Sequence, residues 1–381
     1  MTSDITYIIL NLALLGIFLF AGWRISKGGN YLKNSILCII AYTLISGSRY
    51  ARGVDYLHYV DVYKNDLIKD EWLFSELNEL LKTIGVGPHY IFYFYSFIII
   101  LCICSFFSIY KKSAKWLFPL FIIATLSIAE NHIRQFVGFS IICLFLKQLA
   151  IIKQYSPKYK YISIIFCLVC IIAAYSIHSA NIIIVVLLLL LYFTIKSPIP
   201  YYISIPLYIF ASYLFNSIIY LNYVGSVADF LGQYNILFNS YAEGSGKWFS
   251  SEGYSDIYTR TPFVKFLETV GNVTLFYMSW EVIDKKNPDK QDIITYTNVF
   301  IIGSIFQKAF MNFEIMNRMG AFCVLFYIFP LAYVMYNFQL IRKNRLFVIC
   351  SVFLLFWVWD YFRYVFMNPS MTKFLWDTIY F

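Results

Sequence analysis

Six stretches far apart in the chain carry the side chains that could do chemistry. "GSRYARGVDYLHYVDVY" holds Arg49, Arg52 and Asp55, "AENHIRQ" holds Glu130, His132 and Arg134, and "SIHSAN" holds His178. "DIYTRTP" adds Arg260, "FQKAFMNFEIMNRMG" adds Lys308, Glu314 and Arg318, and "DYFRYVF" adds Asp360 and Arg363. Arginines dispersed over several segments, with few acidic partners, suit an anionic ligand. A guanidinium stays charged, and its fork of donors matches phosphate oxygens two at a time. The ligand this pattern points to is a membrane-anchored phosphate or pyrophosphate held by arginine. The chain has no Gly-rich phosphate loop and no P-loop, "DVYKND" is not an Asp-x-Asp motif, and no paired carboxylates suit a metal clamp. No metal and no cofactor is therefore expected. The tyrosines and tryptophans around these residues offer flat apolar faces with a hydroxyl or N–H alongside, which suit sugar rings.

Each of these residues also has a plainer reading. Arg52 and Asp55 suit a salt bridge at a helix end, and Arg318 and Arg363 can snorkel to lipid headgroups. His132, at a turn, can satisfy backbone groups, whereas His178 sits in an otherwise apolar hairpin and is harder to explain by packing. The tyrosines belong in part to the aromatic belt of any membrane protein. What unites the set is the side of a membrane on which it falls.

The elements that must position these groups are membrane helices. Of 381 residues, 60% are hydrophobic and 13% charged, against about 25% charged in ordinary soluble domains. Windows of about 20 apolar residues, the length of a bilayer crossing, recur between short basic turns. Twelve spans are expected near 5–22, 34–48, 89–110, 116–130, 135–152, 161–177, 181–195, 201–220, 263–280, 293–310, 320–338 and 346–364. Runs such as "NIIIVVLLLLLYF" exclude alternating barrel strands, so the fold class is an all-α polytopic membrane protein forming a single integral domain over 1–381.

"MTSDITYIIL" lacks the basic start of a cleaved signal peptide, and Arg24, Lys27 and Lys33 follow the first span. By the positive-inside rule that end faces the cytoplasm, and both termini are expected outside. Lys111, Lys112 and Lys115, Lys147, Lys153, Lys158 and Lys160, Lys196, Lys285, Lys286 and Lys290, and Arg342, Lys343 and Arg345 then all fall on the inner side. The short outward turns 131–134, 176–180 and 311–319 hold only Arg134 and Arg318. The net charge of +9 thus reports topology and implies no nucleic-acid partner. The eight cysteines, including Cys167-x-x-Cys170, all lie in apolar spans without metal spacing and imply no disulfide framework.

Two connections are long, and both are expected outside. In 49–88, Trp72, Leu73, Leu77, Leu80 and Leu81 recur at helical spacing opposite Glu71, Glu76 and Glu79, which predicts an amphipathic helix at the interface, ended by Gly85. The second, 221–262, mixes Gly, Ser, Tyr, Trp and Asn. The C-terminal "VFMNPSMTKFLWDTIYF" should be a third outward, partly amphipathic piece.

In order along 45–340, the motifs resemble those of EpsG-like proteins, a branch of the Wzy-type polysaccharide polymerases. "SRYARGVDYLHY" is similar to the Arg-x-x-Gly-x-Asp-Tyr-x-x-Tyr signature, and "HIRQFVGFSI" to the family's Arg-Gln at the start of a span. "IHSANIII" resembles its His-Ser-Ala element, and "NRMGAFCVLFYIFP" its late-helix arginine. Val54 stands where a threonine often precedes the aspartate, and 221–262 departs from the pattern, as a segment reading a particular glycan would. The resemblance implies a GT-C-type glycosyltransferase at the periplasmic face of the bacterial inner membrane. Such an enzyme moves a growing glycan from undecaprenyl pyrophosphate onto an incoming lipid-linked repeat unit of O-antigen or a related polysaccharide. It also implies a chain-length regulator as partner and no nucleotide sugar.

Under it, Arg49, Arg52, Arg134 and Arg318 bind pyrophosphate oxygens, with Arg260 and Arg363 in support. His178 or Asp55 is the general base, with His178 preferred because Arg52 can occupy Asp55. Tyr56, Tyr59, Tyr241 and Trp248 are the sugar contacts. The rival classes are a transporter or flippase of anionic lipid-linked glycans, a membrane acyltransferase using His178, and a ligase sharing the same donor.

Overall fold

The computed structural model describes residues 3–53, 55–65, 71–152, 157–215, 261–286, 291–311, 313–341, 351–367 and 373–375. The described chain is almost entirely helical, as lipid requires of a backbone that cannot hydrogen-bond to water. It divides into two compact units, Met1–Val186 with Trp357–Phe381, and Leu187–Phe356.

In the first unit, α1 (Ser3–Ser26) packs on α2 (Tyr31–Gly47) and on α6 (Ala114–Asn131), and α2 packs on α5 (Ile91–Phe107). α5 also packs on α7 (Ile133–Ile151), which packs on α8 (Pro157–Ile177). Aromatic rings fill the core between α1, α2, α5 and α6. Phe18 and Phe121 stack with centroids 6.2 Å apart, Tyr42 lies 5.8 Å from Phe121 and Phe107 lies 5.6 Å from Phe118. α8 divides its surface by helical period. Ser163, Cys167, Cys170, Ala174 and Ile177 are buried, while Ile162, Ile165, Val169 and Ile172 are exposed as a lipid-facing stripe. Two short helices lie outside this bundle, α3 (Tyr56–Asn65) and α4 (Trp72–Thr83). α4 packs on α8 and closes at Gly85, whose φ of +80° suits a residue without Cβ.

The turn from α8 into α9 (Asn181–Thr194) carries His178 and is held from α7. Asn181 is fully buried, and its Nδ2 donates to Ala174 O at 3.3 Å. Gly138 of α7 faces this amide so closely that an added Cβ would overlap it and come within 3.0 Å of Ala174 O. Small residues admit such backbone approach where two apolar helices gain little from burial alone.

The second unit contains α10 (Tyr201–Ile209), α11 (Pro262–Lys286), α12 (Gln291–Ala309), α13 (Glu314–Val324) and α14 (Ile328–Tyr336). α12 is its centre, packed on α10, α11, α13 and α14. Two of its buried polar side chains, Lys308 and Asn298, are paired, as burial in an apolar surround favours. Lys308 Nζ donates to Glu268 Oε2 at 2.6 Å, and Asn298 accepts from Ile199 N at 2.7 Å while donating to Ser197 O at 3.0 Å. The chain returns to the first unit through α15 (Phe356–Met367).

Five described helical stretches are long and apolar enough to cross a membrane: Asp4–Ser26, Ile91–Asn131, Ile133–Ile151, Tyr159–Ile177 and Met316–Tyr336. Ile91–Asn131 covers two of the expected spans, broken at the short turn bearing Lys111 and Lys112. Tyr31–Gly47, Asn181–Thr194 and Tyr201–Leu214 are apolar but shorter. Fourteen helical residues rise only about 21 Å, less than the roughly 30 Å hydrocarbon core. The expected loop 221–262 lies almost wholly outside the described residues.

Gly138→Ala is expected to push Asn181 off its site and to lower thermal stability in detergent by about 1–3 kcal/mol. Gly16→Ala, on α1 with open space around its Cβ, should leave the unfolding midpoint unchanged. Equal midpoints for the two variants would refute this account of the α7 crossing.

Candidate functional site

One end of the first unit gathers Arg49, Arg52, Asp55, Glu71, Glu130, His132, Arg134 and His178. The path that brings the first two there is not a continuation of α2. α2 stops at Gly47, where an added Cβ would sit 2.7 Å from Tyr93 Cα, and Ser48 caps it by donating its N–H to Leu44 O at 3.2 Å. The chain then forms a two-residue strand, β1 (Arg49–Tyr50), paired antiparallel with β2 (Lys373–Phe374) from the far end of the sequence. Leu375 N donates to Ser48 O at 2.7 Å and ties the pairing down. Ala51 follows with φ of +48°, a left-handed conformation that costs a non-glycine residue about 1–2 kcal/mol. Gly53, at φ +92°, lies so close to the Glu130 carbonyl oxygen that a Cβ would overlap it. The loop is thereby folded back onto the C-terminal end of α6.

That fold separates the fates of the two arginines. Arg52 is paired with Glu130 and with the Tyr7 hydroxyl, and its guanidinium lies 3.6 Å from the Tyr7 ring centroid. Glu130 accepts a second hydrogen bond, from Tyr364 on α15, at 2.8 Å. Four segments thus meet in one buried, charge-balanced cluster.

Arg49 is 2% exposed and donates through Nη1 to Ala129 O at 2.7 Å, with its guanidinium 4.6 Å from the Phe92 ring centroid. Its Nε and Nη2 are buried and have no hydrogen-bond partner among the described residues. Burial pulls Arg49 down to about 10 and the neighbouring Arg52 adds to this, yet at neutral pH it remains a cation. Two guanidinium donors without a partner in a dry environment are costly unless an anion meets them.

Arg134, at the start of α7, donates through Nη1 to Glu71 Oε2 at 2.6 Å, and the other oxygen of Glu71 lies 3.3 Å from His178 Nδ1. The guanidinium also lies 5.6 Å from the ring centroids of both Tyr59 and Phe74. Asp55 lies 3.8 Å from His132 Nδ1. The two groups read from the sequence as candidate bases, Asp55 and His178, therefore each belong to a separate carboxylate–imidazole pair. Among the described residues no group of three His, Cys, Asp or Glu is spaced to hold a metal ion.

The remaining expected residues are placed as follows. Tyr56 and Tyr59 are buried. Tyr56 stacks on Phe92 with centroids 4.4 Å apart and its hydroxyl meets His89 Nδ1 at 2.8 Å, so both tyrosines back the arginines. Burial and the nearby Lys64 push His89 below the ordinary histidine range. Arg363 forms an i,i+3 pair with Asp360 at 2.8 Å on α15. Arg318 is half-buried on α13 of the second unit, and Arg260, Tyr241 and Trp248 lie outside the described residues.

Glu71 was hidden from sequence reasoning for a geometric reason. A helical wheel sets it beside Glu76 and Glu79, but it is the N-cap of α4, with φ −103° and ψ 78°. A side chain at that position is not bound to the helical face, and this one turns inward. Tyr7 and Tyr364 carry no sequence signal, since each is one tyrosine among 34.

The family model described as the EpsG family matches residues 34–375. No curated protein and no solved structure matches the chain.

Arg52→Ala leaves Glu130 buried without its cation and is expected to cost about 3–5 kcal/mol, read as a lowered unfolding midpoint in detergent. Arg52→Ala combined with Glu130→Ala should recover most of that loss. Arg49→Ala, which strands no carboxylate, should keep a midpoint near wild type. A midpoint for Arg49→Ala as low as that of Arg52→Ala would contradict this division.

Proposed function

The chain belongs to the EpsG family, and from that premise we propose that it polymerises undecaprenyl-pyrophosphate-linked oligosaccharide repeat units. It acts as a GT-C-type membrane glycosyltransferase at the periplasmic face of the inner membrane, on O-antigen or a related surface polysaccharide. Family membership supports a polysaccharide polymerase-like membrane protein, and the apolar helices support its place in a membrane. The observation that carries the reading further is Arg49, a buried cation with two donors unspent at a site built by four distant segments.

The reaction breaks the bond between an anomeric carbon and a pyrophosphate oxygen, and negative charge grows on the departing group. Donors fixed in advance where that charge develops lower the barrier without reorganising. Arg49 is the principal phosphate ligand in this reading, and Arg134 is the second. Arg52, already balanced by Glu130, shapes the loop. The phosphate roles of Arg318, Arg260 and Arg363 rest on the sequence pattern, supported for Arg318 by the resemblance, and the sugar contacts of Tyr241 and Trp248 rest on the sequence pattern. His178 or Asp55 takes the proton of the acceptor hydroxyl, each already beside a second titratable group. Arginine in place of a metal supplies the positive charge. A chain-length regulator would act on this enzyme from outside the residues named.

Cells lacking the gene, complemented with wild type or variant at matched membrane levels, test the reading through their surface-glycan ladder. Arg49→Ala is expected to collapse the ladder to single repeat units, and Arg49→Lys to restore little of it, because an ammonium cannot present the paired fork. A full ladder from Arg49→Ala would sink the phosphate role. Loss of all surface glycan would place the protein upstream, in transport.

A further inference from the structure

We propose that Glu71 is a positioning residue that fixes His178 in the tautomer able to act as base, while holding Arg134 in place through its other oxygen. This deepens the function proposed above and rests on it. The two oxygens of one carboxylate are divided between a guanidinium at 2.6 Å and an imidazole nitrogen at 3.3 Å, and all three groups are mostly buried.

Two of the groups beside His178 Nδ1 compete for it. Glu71 Oε1 can accept a proton from it, and the Ala180 backbone N–H, also at 3.3 Å, can donate to it. The two contacts demand opposite tautomers. Bonded to Glu71, Nδ1 carries the hydrogen and Nε2 presents its lone pair. Bonded to Ala180, Nδ1 is the acceptor and the hydrogen sits on Nε2, which then cannot take a proton. A bond to a charged carboxylate is about twice as strong as one between neutral groups, so Glu71 decides the tautomer.

Nε2 then removes the proton of the acceptor hydroxyl as the oxygen's electron pair forms the bond to the anomeric carbon. The bond from that carbon to the pyrophosphate oxygen breaks, and the electron pair leaves with the lipid pyrophosphate. Glu71 stabilises the resulting imidazolium without itself being protonated, the part a buried carboxylate plays beside a catalytic histidine.

The test uses purified full-length protein in proteoliposomes, with lipid-linked repeat unit extracted from cells lacking the gene. Glu71→Gln is expected to lower kcat by about 10²- to 10⁴-fold. Its KM should be unchanged or lower, since Arg134 is released toward phosphate. Glu71→Asp, which keeps the charge, should retain much more activity than Glu71→Gln. In a His178→Ala background Glu71→Gln should cost far less than in the wild type. A wild-type kcat in Glu71→Gln, an equal additional loss in the His178→Ala background, or Glu71→Asp as inactive as Glu71→Gln, would each overturn the assignment. Failure of the wild-type protein to extend the repeat unit would instead overturn the polymerase reading beneath it.

Discussion

The buried pair of Arg52 and Glu130 is the contact on which the end of the first unit depends. Taking either charge out of water costs several kcal/mol, and only the other, with its hydrogen bonds, compensates. Tyr7 and Tyr364 complete the compensation from α1 and α15. The pair therefore fixes the positions of four segments, because moving any one of them leaves a charge or a polar oxygen dry. It also explains how a loop with a left-handed Ala51 and a tightly seated Gly53 is tolerated. The strain of that backbone is small beside the cost of releasing Arg52.

The same constraint sets Arg49 apart. Its backbone is clamped by the pairing with β2 and its guanidinium by Ala129 O and the Phe92 face, so both its position and its orientation are fixed before any ligand arrives. Neither contact neutralises it. A cation–π contact and one carbonyl are weaker compensation than a carboxylate. Two arginines three residues apart thus have different surroundings, Arg52 meeting a carboxylate and Arg49 a carbonyl and a ring face.

Much of this was legible in the sequence where a physical rule acts locally. Apolar windows coincide with described helices, five stretches of which are long and apolar enough to cross a bilayer. "SRYARG", "AENHIRQ" and "SIHSAN" were recognisable as charge placed at membrane-helix ends, which is costly enough to need a reason. What was not legible depends on contacts between distant residues. Arg52 reaches past Asp55 to Glu130 only because Ala51 and Gly53 reverse the chain, and no local pattern announces a non-glycine residue at positive φ. The strand that clamps Arg49 pairs residues 49–50 with 373–374, a separation that periodicity cannot bridge. Glu71 was misplaced by one assumption, that a residue at the edge of a helix keeps its place on the wheel.

Two carboxylate–imidazole pairs, Asp55 with His132 and Glu71 with His178, occupy the same end of the unit, but their surroundings differ. The Asp55 pair is longer, at 3.8 Å, and its carboxylate is 23% exposed, against 11% for Glu71. Water and a looser contact both weaken the hold of a carboxylate on an imidazole, so the Asp55 pair polarises its ring less. The Glu71 pair is further fixed by Arg134, which prevents the carboxylate from turning away, and by Asn181 and Gly138, which seat the turn carrying His178. A base is effective when its orientation does not have to be found during the reaction. By that criterion His178 is the better-built candidate for the proposed base, held by an N-cap glutamate together with the crossing of α7 against the α8–α9 turn.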